Sequence, residues 1–361
     1  MQTSFCMWHG LTFNGLCRVL RCQPRLAWSY LPRWFSIAAM SVVNSLENVA
    51  ESAINGRRIR NSSIRHPPLF ILGHWRSGTT LLHNLMALDT SFSYLNLYQS
   101  MCPGHFLLTE PIVAPLTSWC LPKTRPMDNM PLGWNVPMED EMAVAVDCCV
   151  SPYLMAAFQD RFELYERFLE PERWTDKEMR RWEQSFLTLL KKLQLRDDKP
   201  VLLKSPTHTF RIPTLLNLFP EAKFIYLFRD PYAVIRSTLH LRRTMLASNS
   251  LEPPHGQTAL KDTLELYERC IRRYEQTKQT IPANQLCEMR FEDLELDPLE
   301  QTRRVYEELQ LSTWDEAFPA IGEHVKSIRG YRKNDYTVDR ELKQQVLSRF
   351  EWVFELYGYS Q

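Results

Sequence analysis

The sequence predicts an α/β fold with a central parallel sheet flanked by helices, and three observations carry that prediction. Three short apolar runs, Leu69-Phe70-Ile71-Leu72, Val201-Leu202-Leu203 and Phe224-Ile225-Tyr226-Leu227-Phe228, have the length of buried strands. Helical periodicity alternates with them, which is the pattern of βαβ units. A glycine-containing loop, Gly73 to Thr80, stands directly between the first run and an apolar helix, at the kind of strand end where α/β sheets collect ligands.

Residues 41–60 read as a helix ending in Arg57, Arg58 and Arg60, and Pro67 and Pro68 punctuate the chain before the first strand. The helix after the loop runs through Leu81, Leu82, Leu85 and Met86. Residues 91–136, rich in Pro, Ser and Tyr, read as a surface excursion that shapes a substrate pocket, continuing to about residue 195. Helical periodicity returns at 138–150 and 158–194, where Phe186, Leu189, Leu190 and Leu193 form a core stripe. A further strand is expected at 285–291, and helices over much of 257–281, 298–310 and 339–357.

Of the 361 residues, 44% are hydrophobic and 24% charged, which excludes disorder, collagen and coiled coil as descriptions of the whole chain. A net charge of +1 argues against a dedicated nucleic-acid binder. The charge is uneven: the first 46 residues hold Arg18, Arg21, Arg25 and Arg33 and no acid. The uncharged stretches 1–17 and 34–46 fall short of the roughly 20 apolar residues that span a bilayer, and no charged n-region leads into a leucine-rich core as in a signal peptide. Residues 1–46 are expected to be a basic leader, disordered or outside the core, with 47–361 forming a single α/β domain. Two other accounts of the leader are initiation at Met40 and an interfacial membrane anchor through residues 1–40. The nine cysteines are odd in number and lack C-x-x-C spacing, so neither a disulfide framework nor a zinc site is expected, and a reducing, cytoplasmic setting is. Cys148 and Cys149 lie in the apolar run Val144–Val150 and belong in the core.

The loop reads Gly73-His74-Trp75-Arg76-Ser77-Gly78-Thr79-Thr80, a phosphate loop with threonine where a nucleotide triphosphatase has lysine. Small residues let successive backbone N–H groups converge on an anion, and the helix N-terminus adds partial positive charge. Arg76 adds a forked cation suited to phosphate or sulfate oxygens. Without the lysine, magnesium-dependent ATP or GTP hydrolysis is disfavoured. Downstream, a strand ends in Arg229-Asp230-Pro231 with Ser237 eight residues beyond the arginine, a spacing that lets the serine act as a second donor to an anion held by Arg229.

Arg76-Ser77-Gly78-Thr79-Thr80-Leu81-Leu82 resembles the 5′-phosphosulfate loop of sulfotransferases, enzymes that use 3′-phosphoadenosine 5′-phosphosulfate (PAPS). Trp75 stands where that family usually has proline. The segment Phe224–Ser237 is similar to the family's 3′-phosphate site, and Gly330-Tyr331-Arg332-Lys333-Asn334 resembles its C-terminal Arg-Lys pair, with Asn334 in place of glycine. The resemblance covers roughly residues 65–357 and is closest to a broad, largely bacterial branch. It implies a three-layer P-loop-type fold and a sulfuryl transferase. By the same resemblance, PAPS is bound by Arg76, Ser77, Gly78, Thr79, Thr80, Arg229, Ser237, Arg332 and Lys333, and no metal is expected.

Sulfuryl transfer needs cations where the leaving phosphate gains charge, a base for the acceptor, and alignment of the two reactants. Arg76 and Lys204 are the cation candidates; Lys204 ends a strand in Lys204-Ser205-Pro206-Thr207-His208. The base candidates are the cluster Glu139-Asp140-Glu141 and His208. Glu139 and Glu141 lie about 200° apart on a helix, so both cannot face one cleft. Pro206 occupies the position that the family's histidine branch gives its base, which displaces His208 by two residues. Glutamate is therefore preferred. The acceptor is a small molecule, carbohydrate or lipid carrying a hydroxyl or amine, with Trp134, Tyr153 and Phe158 as aromatic lining candidates. A small-molecule kinase and an inactive nucleotide binder on the same scaffold are the alternatives.

Overall fold

The computed structural model describes residues 6–122, 124, 132–254, 258–327 and 339–360. Five strands form one sheet: β1 (Leu69–Gly73), β2 (Ser93–Tyr94), β3 (Val201–Lys204), β4 (Lys223–Phe228) and β5 (Leu286–Arg290), in the order β2-β3-β1-β4-β5. β1 runs parallel to both β3 and β4, and β4 parallel to β5. Every residue of β1 and β3 is buried, which is why these strands read as continuous apolar runs rather than alternating ones. β2 is too short to leave a periodic signal and was not expected.

The chain divides into two compact units. The unit formed by Pro67–Ser93, Leu202–His240 and Leu260–Gln361 carries the sheet core. On one face Leu69, Ile71, Ile225 and Leu227 pack with Leu82 and Leu85 of helix Thr79–Met86, Val305 of Pro298–Glu308 and Ile321 of Trp314–Ser327. Phe70 and Phe224 stack at 5.4 Å on the other face. A second apolar cluster joins Val234 and Ile235 to Tyr267, Val346 and Phe350 from helices Ala259–Thr277 and Arg340–Tyr357. Helices on both faces make the three-layer α/β arrangement. Burial of each such side chain contributes about 1.5–3 kcal/mol.

The other unit is formed by Met1–His66, Tyr94–Val201 and Leu241–Ala259, and it corrects the expectation for the leader. Residues Phe13–Arg21 and Leu31–Asn61 are helices, and Trp8, Leu11, Val19, Trp34 and Ile37 are buried. Trp34 donates its indole N–H to the Leu251 carbonyl at 3.0 Å, and the Asn44 amide donates to the carbonyls of His9 and Leu11. The arginines that marked a basic tail serve as anchors: Arg25 pairs with Glu252 at 2.7 Å, and Arg18 donates to the Asp147 carbonyl.

The excursion at 91–136 is also more regular than its prolines suggest. Asn96 caps helix Leu97–Met101 in a reciprocal capping box with Gln99, and helix Phe106–Thr117 accommodates Pro111 and Pro115. The stripe at Phe186–Leu193 belongs to helix Asp176–Arg196, whose start is fixed by the Thr175–Glu178 capping box; short turns precede it. Cys148 and Cys149 are buried, as expected.

Candidate active site

The parallel register lines up three strand ends. Ile71 of β1 pairs with Lys204, the last residue of β3, and Gly73 pairs with Leu227, one residue before the end of β4. The glycine loop, Lys204 and Arg229 therefore leave the sheet side by side at its carboxyl edge. Lys204 is buried there.

Gly73 leaves β1 at φ 144°, and its N–H and carbonyl are both bonded to Thr209 Oγ1, at 2.9 and 3.1 Å. The Ser77 N–H and hydroxyl turn back onto the His74 carbonyl. Gly78, at φ 97° and ψ 5°, caps helix Thr79–Met86, and a Cβ there would lie 1.9 Å from Phe291 Cδ2. Glycine is required by both the backbone angle and the ring behind it. Trp75, in the place of the family's usual proline, holds the loop by packing. It is buried, its ring meets His74 edge-on at 5.4 Å, and its carbonyl accepts from His74 Nδ1 and Thr238 Oγ1.

Arg76 adopts φ 69°, a left-handed conformation that costs a non-glycine residue about 1 kcal/mol or more. Its contacts include two across the loop: Arg76 Nε donates to Ser237 Oγ at 2.8 Å, and Arg229 Nη1 donates to the Arg76 carbonyl at 3.3 Å. The Arg229 guanidinium lies over the Phe291 ring, 4.2 Å from its centre. Burial pulls its pKa below the ordinary arginine value, against the opposing pull of Glu292 and Glu295. Asp230 Oδ1 accepts from the Ala233 N–H, fixing the start of the helix that carries Ser237.

Thus Arg76, Ser77, Gly78, Thr79, Thr80, Arg229 and Ser237 are assembled around one loop, with Lys204 on the adjoining strand. A helix N-terminus, small residues and two arginines suit a doubly charged phosphate or sulfate group. His208 is fully buried, with its ring edge-on to Phe70 at 5.0 Å. In the other unit, Glu139 stands just before helix Asp140–Cys148, is half-buried, and accepts a hydrogen bond from the Tyr153 hydroxyl. Glu141 is completely buried, and so is Asp140. Arg332 and Lys333 lie outside the described residues.

Phe291, Thr209, His74 and Thr238 went unnoticed in the sequence. Phe291 had a usable signal, since it directly follows a strand that ends beside β4. The other three work through bonds to carbonyls and amides, which no spacing reveals.

A family model described as the sulfotransferase family matches residues 67–316. Omega-hydroxy-beta-dihydromenaquinone-9 sulfotransferase Stf3 of Mycobacterium bovis, and the protein of that name from Mycobacterium tuberculosis, are each 34% identical over 356 residues, covering 98% of this chain and 91% of theirs. Among solved structures, sulfotransferase STF9 from Mycobacterium avium superposes with a TM-score of 0.69 at 18% identity, covering 99% of this chain and 93% of its own. Sulfotransferase STF1 from Mycobacterium tuberculosis gives 0.61 at 17% identity, covering 93% and 90%. Those two likenesses establish the fold. The family match and the curated relatives establish the rest: this chain belongs to the sulfotransferase family and is a sulfotransferase enzyme.

Proposed function

We propose that this enzyme transfers a sulfuryl group from PAPS to a hydroxyl on a lipid-like acceptor of the prenylated quinone class. The observation that carries the acceptor is the 34% identity to a dihydromenaquinone sulfotransferase, sustained over 98% of this chain. When bound, PAPS supplies a sulfuryl group already activated by its phosphate leaving group.

The loop amides of Ser77 to Thr80 and the guanidinium of Arg76 hold the phosphosulfate end. Arg229 and Ser237 hold the 3′-phosphate, and the Arg76–Ser237 bond supports both assignments by tying the two groups of donors together. Lys204 and Arg76 stabilise the negative charge that grows on the leaving oxygen. Arg332 and Lys333 are proposed as further cofactor contacts. Glu139 takes the acceptor's proton. It is preferred to Glu141 and His208 because those two side chains are sealed from solutes, whereas Glu139 is half-exposed with a tyrosine hydroxyl orienting its carboxylate.

The test has two stages. Adenosine 3′,5′-bisphosphate without magnesium is expected to raise the melting temperature; stabilisation by Mg-ATP alone would instead indicate a kinase. Labelled sulfate from PAPS is then expected in the lipid phase with a prenyl quinone hydroxylated on its tail. Stabilisation without transfer to any hydroxyl or amine acceptor would mean a nucleotide binder, and transfer only to water-soluble acceptors would overturn the lipid assignment.

A further inference from the structure

Helix Leu31–Asn61 has one face fastened to its own unit and another left bare. The fastened face includes Trp34, Ile37, Ser41, Asn44 and Glu51, all buried, and Glu51 forms a buried ion pair with Lys192. The bare face is apolar where a surface helix ordinarily carries charge. At 100° per residue, Leu31, Phe35, Val42, Leu46 and Val49 fall within an arc of about 60°. Phe35 is 79% exposed, Leu46 67% and Val49 68%, and Trp28, just before the helix, is 89% exposed. From Leu31 to Val49 the row is about 27 Å long at 1.5 Å per residue. No helix among the described residues is long and apolar enough to cross a membrane, so a bilayer would meet this helix lying flat on its surface rather than spanning it.

The charge around this face identifies its occupant. Through residue 61 the chain carries seven arginines and two glutamates. Both glutamates are engaged: Glu51 is buried with Lys192, and Glu47 faces His105 at 3.2 Å. Arg21, Arg57, Arg58 and Arg60 are exposed. An uncharged face flanked in the chain by unneutralised arginines complements an anionic surface with an apolar interior. A second copy is a poorer fit, because pairing two such faces brings arginine clusters of one sign together.

We propose that this face is a docking surface for an anionic lipid bilayer, with Trp28, Phe35, Leu46 and Val49 inserted at the headgroup boundary. The inference is independent of which acceptor is sulfated, and its test needs no turnover. The full-length protein is centrifuged with sucrose-loaded vesicles of phosphatidylcholine alone and of phosphatidylcholine with about 30% phosphatidylglycerol. Binding is expected to the mixed vesicles, at least about tenfold weaker to the neutral ones, and to fall in high salt. The variant carrying Phe35→Asp and Leu46→Asp is expected to lose at least about tenfold in partitioning. Its melting temperature is measured alongside; if it fails to fold, Trp28→Ser with Val49→Ser, smaller changes at exposed positions, takes its place with the same expectation. Equal binding by wild type and folded variant, or no binding to anionic vesicles, overturns the proposal. So does a sedimentation result in which the wild type is a dimer and the variant a monomer, since the face would then be covered by a second copy.

Discussion

Arg76 and Ser237, 161 residues apart, are joined by a 2.8 Å hydrogen bond from guanidinium to hydroxyl. One residue belongs to the loop after β1 and the other to the helix after β4, so the bond couples two neighbouring strand ends. It also holds a non-glycine residue in the left-handed region.

Ser237→Ala removes the acceptor of that bond. The expected result is about a tenfold weaker affinity for adenosine 3′,5′-bisphosphate, or about 1.4 kcal/mol, measured by titration calorimetry. An unchanged dissociation constant would mean that the hydroxyl neither binds the nucleotide nor positions Arg76.

Gly78→Ala places a Cβ against the Phe291 ring and forces alanine to φ 97°. The loss expected is about 2–4 kcal/mol of stability, read from the urea midpoint, with nucleotide binding abolished. Adding Phe291→Ala relieves the clash but not the backbone angle. Since it also removes a ring from the wall, the double variant is expected to recover nucleotide binding in part rather than full stability.

Glu139→Gln is expected to lower kcat by about 10²- to 10⁴-fold while leaving bisphosphate affinity unchanged. Tyr153→Phe removes the hydroxyl that orients the carboxylate and is expected to produce a smaller loss in kcat. Full activity in Glu139→Gln would return the role of base to Glu141 or His208.

His74 is buried, and burial pushes its pKa from 6.5 down to about 4. The folded state therefore keeps the ring neutral in a range where the unfolded chain binds a proton. Stability from this residue is complete above pH 6.5, falls as pH drops toward 4, and levels off below that, a total of roughly 3 kcal/mol. His9 and His105 are shifted in the same direction, also chiefly by burial. Urea unfolding across this window is expected to show a slope shallower by about one proton in His74→Asn than in the wild type. Identical slopes would mean that His74 keeps an ordinary pKa.

The sheet was legible because its strands are buried on both faces: Leu69–Leu72 and Phe224–Phe228 have no polar residue to break the run. The anion loop was legible because glycine, serine and threonine are needed at fixed offsets from a strand. The leader was misread for a physical reason. Its longer helix, Leu31–Asn61, buries only one narrow face, with Trp34 and Ile37 directed inward, while Phe35, Val42 and Leu46 are apolar on the outside as well. That erases the amphipathic contrast from which a helix is read. His208 illustrates the other limit, since proximity in sequence to Lys204 carries no information about whether a ring can meet a solute; Phe70 seals it.

The central position of β1 has a consequence for synthesis of the chain. Its partners, β3 and β4, lie roughly 130 and 150 residues downstream. At about 5–20 residues per second, β1 leaves the ribosome roughly 7–30 s before both of its edges can be paired. For that interval the nascent protein presents five consecutive apolar or glycine residues with unpaired backbone groups, a template for misassociation. The yield of native enzyme should therefore depend on translation speed and on the capacity of ribosome-associated chaperones to occupy Leu69–Gly73 until Phe228 has been made.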